Sequence, residues 1–247
     1  MPASVFALLG SGEFEPWTSD VDDWLLERAT GDGRVLILPT ASAPEGSDVF
    51  DRWARMGVEH YERGELRPEV VPLKDRADAA DDGVVARLRG ASVTFFSGGN
   101  PAYLAETLIG TPAWSEILDG LERGMAYAGC SAGVASLGEG APDSSQRDPA
   151  KGIMRPGLQL FPATYFMPHW DALNTYIPGL RELLRAAVPA GRHIVTIDEN
   201  TAIVGDGADW TVIGAGTVGV VDGDAQRTYT AGESFADDLA PRTSPAS

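Results

Sequence analysis

The run Arg34-Val-Leu-Ile-Leu38 is apolar at consecutive positions instead of alternate ones, and Pro39 stops it. A strand buried on both faces reads this way, and such strands belong to parallel sheets covered by helices on each side. Val5–Leu9, Glu69–Leu73, Ser92–Phe96 and Met125–Ala128 are further short apolar runs. Longer amphipathic or acidic stretches lie between them and predict helices. These are Asp20–Ala29 with Ser19 as its cap, Ser47–Glu62, Asp78–Arg89, and a pair flanking Thr111-Pro112. The alternation covers roughly the first 140 residues. It predicts an α/β fold of three layers, with a parallel sheet in the middle.

The grammar changes near residue 195. Ile194–Ile197, Thr201–Val204, Trp210–Ile213, Val218–Val221 and Arg227–Thr230 are short strands, with hairpin signals at Asp206-Gly207 and Asp222-Gly223. They are expected to form an antiparallel extension of the same sheet. No repeat and no linker divides the chain, so residues 1–236 read as one domain and the Pro-, Ser- and Ala-rich residues 237–247 as a flexible tail.

Charge excludes some partners. The 247 residues include 36 acidic and 19 basic ones, a net charge of −17. Nucleic acid and anionic membrane surfaces need a basic face and are not expected partners. No stretch reaches the ~20 apolar residues of a membrane-spanning helix. The N-terminus lacks the basic start of a signal peptide, so a cytoplasmic protein is expected. Cys130 is the one cysteine, which rules out an intramolecular disulfide and fits a reducing compartment.

The most informative motif is Gly129-Cys130-Ser131-Ala132-Gly133. It fits G-x-S-x-G, follows a strand and precedes a helix-compatible run. A nucleophile elbow needs that context, because small residues permit the tight turn that lifts the serine hydroxyl out of the sheet. Cys130 sits one position earlier and is expected to pack inward, as buried thiols commonly do. Of the three histidines, His60 lies in an amphipathic helix and His193 opens a strand. His169 follows Pro168 in a loop just before a helix, where sites of parallel sheets gather. Asp198-Glu199-Asn200 ends the strand Ile194–Ile197, and a carboxylate there can orient a histidine. Ser97-Gly98-Gly99-Asn100-Pro101 joins a strand to a helix and can turn backbone N–H groups toward an oxyanion. Gly214-Ala-Gly-Thr-Val-Gly219 has the spacing of a dinucleotide loop, but strand and hairpin residues follow it where a helix is required. No Cys/His metal cluster is present.

With Val35-Leu-Ile-Leu-Pro-Thr-Ala-Ser42, Phe96-Ser-Gly-Gly-Asn-Pro101, Ala128-Gly-Cys-Ser-Ala-Gly133, Met167-Pro-His169 and Ile197-Asp-Glu-Asn200 in this order, the chain resembles the peptidase E and cyanophycinase family of serine peptidases. The resemblance implies the flavodoxin-like, class I glutamine amidotransferase-like three-layer fold. It implies Ser131 as nucleophile, His169 as general base, Glu199 as the orienting acid, and an oxyanion hole from the backbone N–H groups of Gly99 and Ala132. Asp171 and Asp143 are alternatives for the acid. An α/β-hydrolase order would need Ser131, Asp171 and His193. Gly98, Asn100, Arg147 and Arg155 are the candidates for holding substrate; an arginine would read an N-terminal aspartate. The segment Pro142–Asp148 departs from the family. The implied activity is hydrolysis of short peptides or aspartyl isopeptides by a monomer or homodimer, with no metal or organic cofactor. The alternative is an amidotransferase-like domain with lost or altered activity that serves as a binding or regulatory protein. That class places a cysteine at the elbow, where this chain has Ser131.

Overall fold

A computed structural model describes residues 4–62, 66–146, 151–223, 225–236, 239 and 241. The expected alternation is present. In chain order the first half runs β1 (Val5–Leu9), α1 (Ser19–Leu26), β2 (Arg34–Leu38), α2 (Ser47–Glu62), β3 (Arg67–Val70), α3 (Asp82–Leu88), β4 (Val93–Phe96), α4 (Pro101–Leu108), α5 (Pro112–Glu122), β5 (Ala126–Cys130) and α6 (Ala132–Ala135). The second half is mostly strand: β6 (Gly140–Pro142), β7 (Met154–Pro156), β8 (Thr164–Met167), β9 (His193–Ile197), β10 (Thr201–Gly205), β11 (Asp209–Gly214), β12 (Thr217–Asp222), β13 (Ala225–Thr230) and β14 (Ser234–Ala236). Two helices, α7 (Leu173–Tyr176) and α8 (Leu180–Ala186), stand between β8 and β9.

The main sheet has the order β14-β11-β10-β1-β5-β4-β2-β3. β1, β5, β4, β2 and β3 are parallel neighbours, and β10, β11 and β14 extend the β1 edge antiparallel. Successive side chains of a strand point to opposite faces. Val5, Ala7 and Leu9 accordingly pack with Val21, Leu25 and Tyr61 of α1 and α2. Phe6 and Leu8 pack on the other side with Leu104, Trp114 and Ile117 of α4 and α5. Both faces are apolar, which is why these strands show no alternation in sequence.

The C-terminal strands are divided, and this corrects the expectation of one extended sheet. β10, β11 and β14 join the main sheet, whereas β9, β12 and β13 form a second sheet of order β13-β12-β9-β8. In it β8 and β9 run parallel. Val195, Ile197, Val218 and Val220 of this sheet share the apolar cluster of Phe6 and Leu8. Phe161 joins the two sheets: its ring lies 5.2 Å from Phe6 of β1, 5.3 Å from Phe166 of β8 and 6.1 Å from Trp210 of β11.

Smaller differences have local causes. β3 begins at Arg67, not Glu69, because its register pairs Arg67 with Arg34 at the sheet edge, where Pro68 is tolerated. The expected helix at 78–89 is a short 3₁₀ turn and then α3, separated by Asp81, whose carboxylate accepts the Val84 N–H at 3.0 Å. Ser19 is not a cap; the 3₁₀ turn Pro16–Thr18 runs directly into α1. Of residues 237–247 only Leu239 and Pro241 are described, and Leu239 is buried; the remainder of the expected tail lies outside the described residues.

Phe161 is fully buried, and Phe161→Ala should cost about 3–5 kcal/mol in urea unfolding, the range for deleting a core aromatic ring. A loss under about 1 kcal/mol would mean that the two sheets hold together without it.

Candidate active site

Ser131, His169 and Glu199 each lie just past a strand's carboxyl end, where open parallel sheets place their ligands. β5 ends at Cys130 and turns sharply: Ser131 has φ +50° and ψ −105°. Such a backbone costs on the order of 1–3 kcal/mol and persists only where its surroundings determine it. Here the Ser131 N–H donates to the Leu9 carbonyl at 3.0 Å, and the Ser131 carbonyl accepts the Val134 and Ala135 N–H groups at 3.0 and 2.9 Å. Gly133 closes the turn; a Cβ on it would lie 2.3 Å from the Phe96 carbonyl oxygen, so only glycine fits. The elbow anticipated from sequence is therefore formed.

His169 comes from the second sheet, just past β8. Its φ is +55°, and its carbonyl accepts the Ala172 and Leu173 N–H groups at 2.9 Å, which starts α7. The next residue is pinned twice: the Trp170 N–H donates to the Ile197 carbonyl at 3.1 Å, and the Arg181 guanidinium stacks 4.8 Å over the Trp170 ring. The imidazole that results lies between two partners. Its Nε2 is 2.7 Å from Ser131 Oγ, and its Nδ1 is 3.1 Å from Glu199 Oε1.

Asp198 and Glu199 diverge at the end of β9, as alternation requires. The Asp198 carboxylate accepts the Thr217 N–H at 2.8 Å and its hydroxyl at 2.7 Å. Glu199 faces His169 and also accepts the Tyr176 hydroxyl. The alternatives for the acid sit elsewhere. Asp171 accepts the Glu199 backbone N–H at 2.8 Å. Asp143 is bonded to Ser145 and Asn100, at 2.6 and 3.1 Å. His193 opens β9, at the end of that strand remote from Glu199, and His60 is paired with Asp22 at 2.6 Å.

Tyr176 and Glu13 carry parts of the site that the sequence reading did not find. Tyr176 donates to the same Glu199 oxygen that faces His169. That hydrogen bond is the main reason the Glu199 carboxyl is held below its ordinary range; partial burial opposes it and His169 adds to it. The same bond, with burial, pushes Tyr176 up to about 12. Glu13, 5% exposed, bridges two turns: one oxygen accepts the Gly98 N–H at 2.9 Å and the other the Cys130 thiol at 2.9 Å. Burial, and then the Glu13 charge, push the Cys130 thiol well above its usual pKa. Cys130 is inward-facing and protonated, so it is no competitor for Ser131.

Gly98 borders Ser131, but its N–H is spent on Glu13. Gly99 has φ +144°, and a Cβ there would lie 2.3 Å from the Ala41 carbonyl. Among the described residues, neither the Gly99 nor the Ala132 N–H donates to a protein acceptor. Asn100 caps α4, with its oxygen 3.0 Å from the Ala102 nitrogen. Arg155 bonds the Met154 carbonyl at 3.0 Å and lies 3.8 Å from Asp143. Both line a cavity of about 580 Å³ with Arg76 and Tyr103, next to the Ser131 cavity and not inside it. Arg147 lies outside the described residues. The cavity that holds Ser131 and His169 measures about 200 Å³. Among the described residues no group of three or more His, Cys, Asp or Glu side chains could hold a metal, and no helix is long and apolar enough to cross a membrane.

Residues 6–213 match the model of a known family, peptidase family S51. The chain belongs to peptidase family S51. That membership agrees with the resemblance read from the motifs. It is 29% identical over 195 residues to a cyanophycinase of Nostoc sp., covering 76% of this chain and 63% of that protein. It is 28% identical over 213 residues to a cyanophycinase of Geminocystis herdmanii, covering 84% and 76%. The chain thus spans 63% of the length of the Nostoc relative. A solved structure of a peptidase from an acI-B1 Actinobacterium superposes with a TM-score of 0.85 at 29% identity, over 95% of this chain and 97% of that one. A putative peptidase E protein from Listeria monocytogenes EGD-e shares the fold, with a TM-score of 0.62 at 20% identity over 87% of this chain and 100% of that one.

Within this S51 chain, the Tyr176 bond makes a measurable electrostatic difference. Folding depresses the Glu199 pKa, so the stabilisation it brings is full at neutral pH and is lost as pH falls through a value below the ordinary 4.5. Tyr176→Phe should move the Glu199 carboxyl titration upward, as read by carbon NMR of labelled glutamate. An unchanged midpoint would show that Tyr176 does not hold the charge.

Proposed function

We propose that this S51 chain is a serine peptidase or amide hydrolase acting on short peptides or aspartyl isopeptides. The observation that carries the proposal is the continuous line from Ser131 Oγ to His169 Nε2 at 2.7 Å and from His169 Nδ1 to Glu199 at 3.1 Å. His169 takes the Ser131 proton as the hydroxyl attacks the substrate carbonyl. Glu199 holds the tautomer that presents an acceptor nitrogen to Ser131, and it stabilises the imidazolium once formed. The tetrahedral oxyanion falls to the N–H groups of Gly99 and Ala132, which have no protein acceptor among the described residues, and that supports the role. His169 then protonates the leaving amine, and water activated by the same imidazole releases the acyl group from Ser131. Gly98 flanks the nucleophile, and Asn100 and Arg155 stand in the adjoining cavity, where the far end of a peptide can reach them. The apolar cluster shared by both sheets supports treating residues 1–236 as one domain. The rival reading as a binding or regulatory protein loses support from a serine held on its base at hydrogen-bonding distance.

A fluorophosphonate probe should label wild-type protein at Ser131 and leave Ser131→Ala unlabelled. Glu199→Gln should lower kcat by roughly 10⁴, as replacing the orienting acid by its amide does elsewhere. Asp198→Asn and Cys130→Ala should retain most turnover, because neither side chain meets His169. A folded wild-type protein that resists the probe and turns over no peptide would favour the binding protein.

A further inference from the structure

The cavity at Ser131 has a chemistry of its own. Its walls come from α6, β8 and the α7–α8 segment: Ala135, Phe166, Met167, Leu173, Leu180 and Leu184. Ile153, Met154 and Ile177 extend this apolar wall, Ser144 and Gln146 stand at its polar side, and no lysine or arginine lines it among the described residues. Among the described residues the one acidic side chain in its lining, Asp143, is already held by Ser145, Asn100 and Arg155. The Ser145 hydroxyl bond, chief among these, keeps it below the ordinary carboxylate range, so it stays charged. That charge repels an acidic substrate group, and its nearest cation is already supplied. A second observation lies outside the cavity. Tyr176 and Ile177 are 58% and 53% exposed. Large apolar side chains usually stay exposed in a cluster where something apolar is to be met. Ile177 belongs to both the lining and the exposed pair, so the apolar surface runs from solvent to the nucleophile.

We propose that this cavity receives a large apolar side chain, of the leucine, methionine or phenylalanine kind, from a residue flanking the scissile bond. The inference rests on the hydrolase reading of Ser131 and His169 and narrows its substrate class. About 200 Å³ is room for one such side chain. A charged head placed against that apolar wall would exchange water for methyl and phenyl groups and, among the described residues, meet no opposite charge that is not already engaged, which is the costly case for burial.

The experiment is a dipeptide and tripeptide panel in which the residue on each side of the cleaved bond is varied among Ala, Leu, Phe, Asp and Arg. Leucine or phenylalanine on one side should exceed alanine, aspartate and arginine on that side by about tenfold or more in kcat/KM, the discrimination a hydrophobic pocket supplies. Ile177→Glu should erase the preference by lowering the apolar substrates most. Leu183→Glu, an exposed change on α8 outside the cavity, should leave the ranking intact. Calorimetric binding of the same peptides to Ser131→Ala protein separates the two claims. Tighter binding of apolar peptides, with no turnover by wild type, would sink the hydrolase reading and keep the cavity's role. Preference for aspartate or arginine, or a flat panel in both assays, would overturn the inference. So would a ranking that Ile177→Glu does not alter.

Discussion

The backbone at Ser131 is the constraint to which the rest of the structure answers. A non-glycine residue at φ +50° and ψ −105° relaxes unless held from several directions, and here three parts of the chain hold it. The end of β1 accepts its N–H, α6 donates to its carbonyl, and the backbone of β4 closes against Gly133. The contact from β1 and the closure against β4 both depend on the parallel register of β1, β5 and β4. The apolar strands that make this a three-layer fold thereby aim one hydroxyl.

The partner of that hydroxyl belongs to a different sheet. β8 and β9 run parallel to one another, so His169 and Glu199 leave the same end and meet. Phe161 and the apolar residues of β9 and β12 fix the second sheet on the first, which sets how far His169 stands from Ser131. The geometry of the site is thus a property of sheet-on-sheet packing, and no single loop determines it. The same division of labour explains the positions of Tyr176 and Trp170. Both lie on the short connection after His169, and both act on the orientation of what faces Ser131.

Much of this was legible in the residues. The consecutive apolar run at Arg34–Leu38, the Gly129–Gly133 elbow and the alternation of Asp198 and Glu199 are local patterns, and local patterns survive in sequence. What escaped was non-local. β8 is four residues long, between Ala163 at φ +59° and Pro168, and its only partner in the second sheet is β9. Nothing within a window of that size distinguishes it from a loop. Glu13 looked like one acid among many; its role depends on Gly98, 85 positions away, and Cys130, 117 away. Tyr176 was hidden for a similar reason, since a short helix of four residues has too little periodicity to announce which side chain turns toward Glu199. Asn100 illustrates the opposite case. It reads in sequence as a candidate for holding substrate, and its side chain is engaged in capping α4 and holding Asp143.

The order of strands in the main sheet bears on how the molecule comes into being. β1 is made first, yet it lies in the interior of the sheet between β5 and β10. Its partners are residues 126–130 and 202–205. During synthesis, a segment with two open edges must wait until residues 202–205 have been made before both are paired. Long-range pairing of this kind is slow and leaves unpaired strands exposed to other chains. The wait also has a protective side. Ser131, His169 and Glu199 can come together only after the last of them has emerged, so a chain still short of it has Ser131 without the groups that face it. Assembly order by itself keeps that arrangement out of chains that stop short of Glu199.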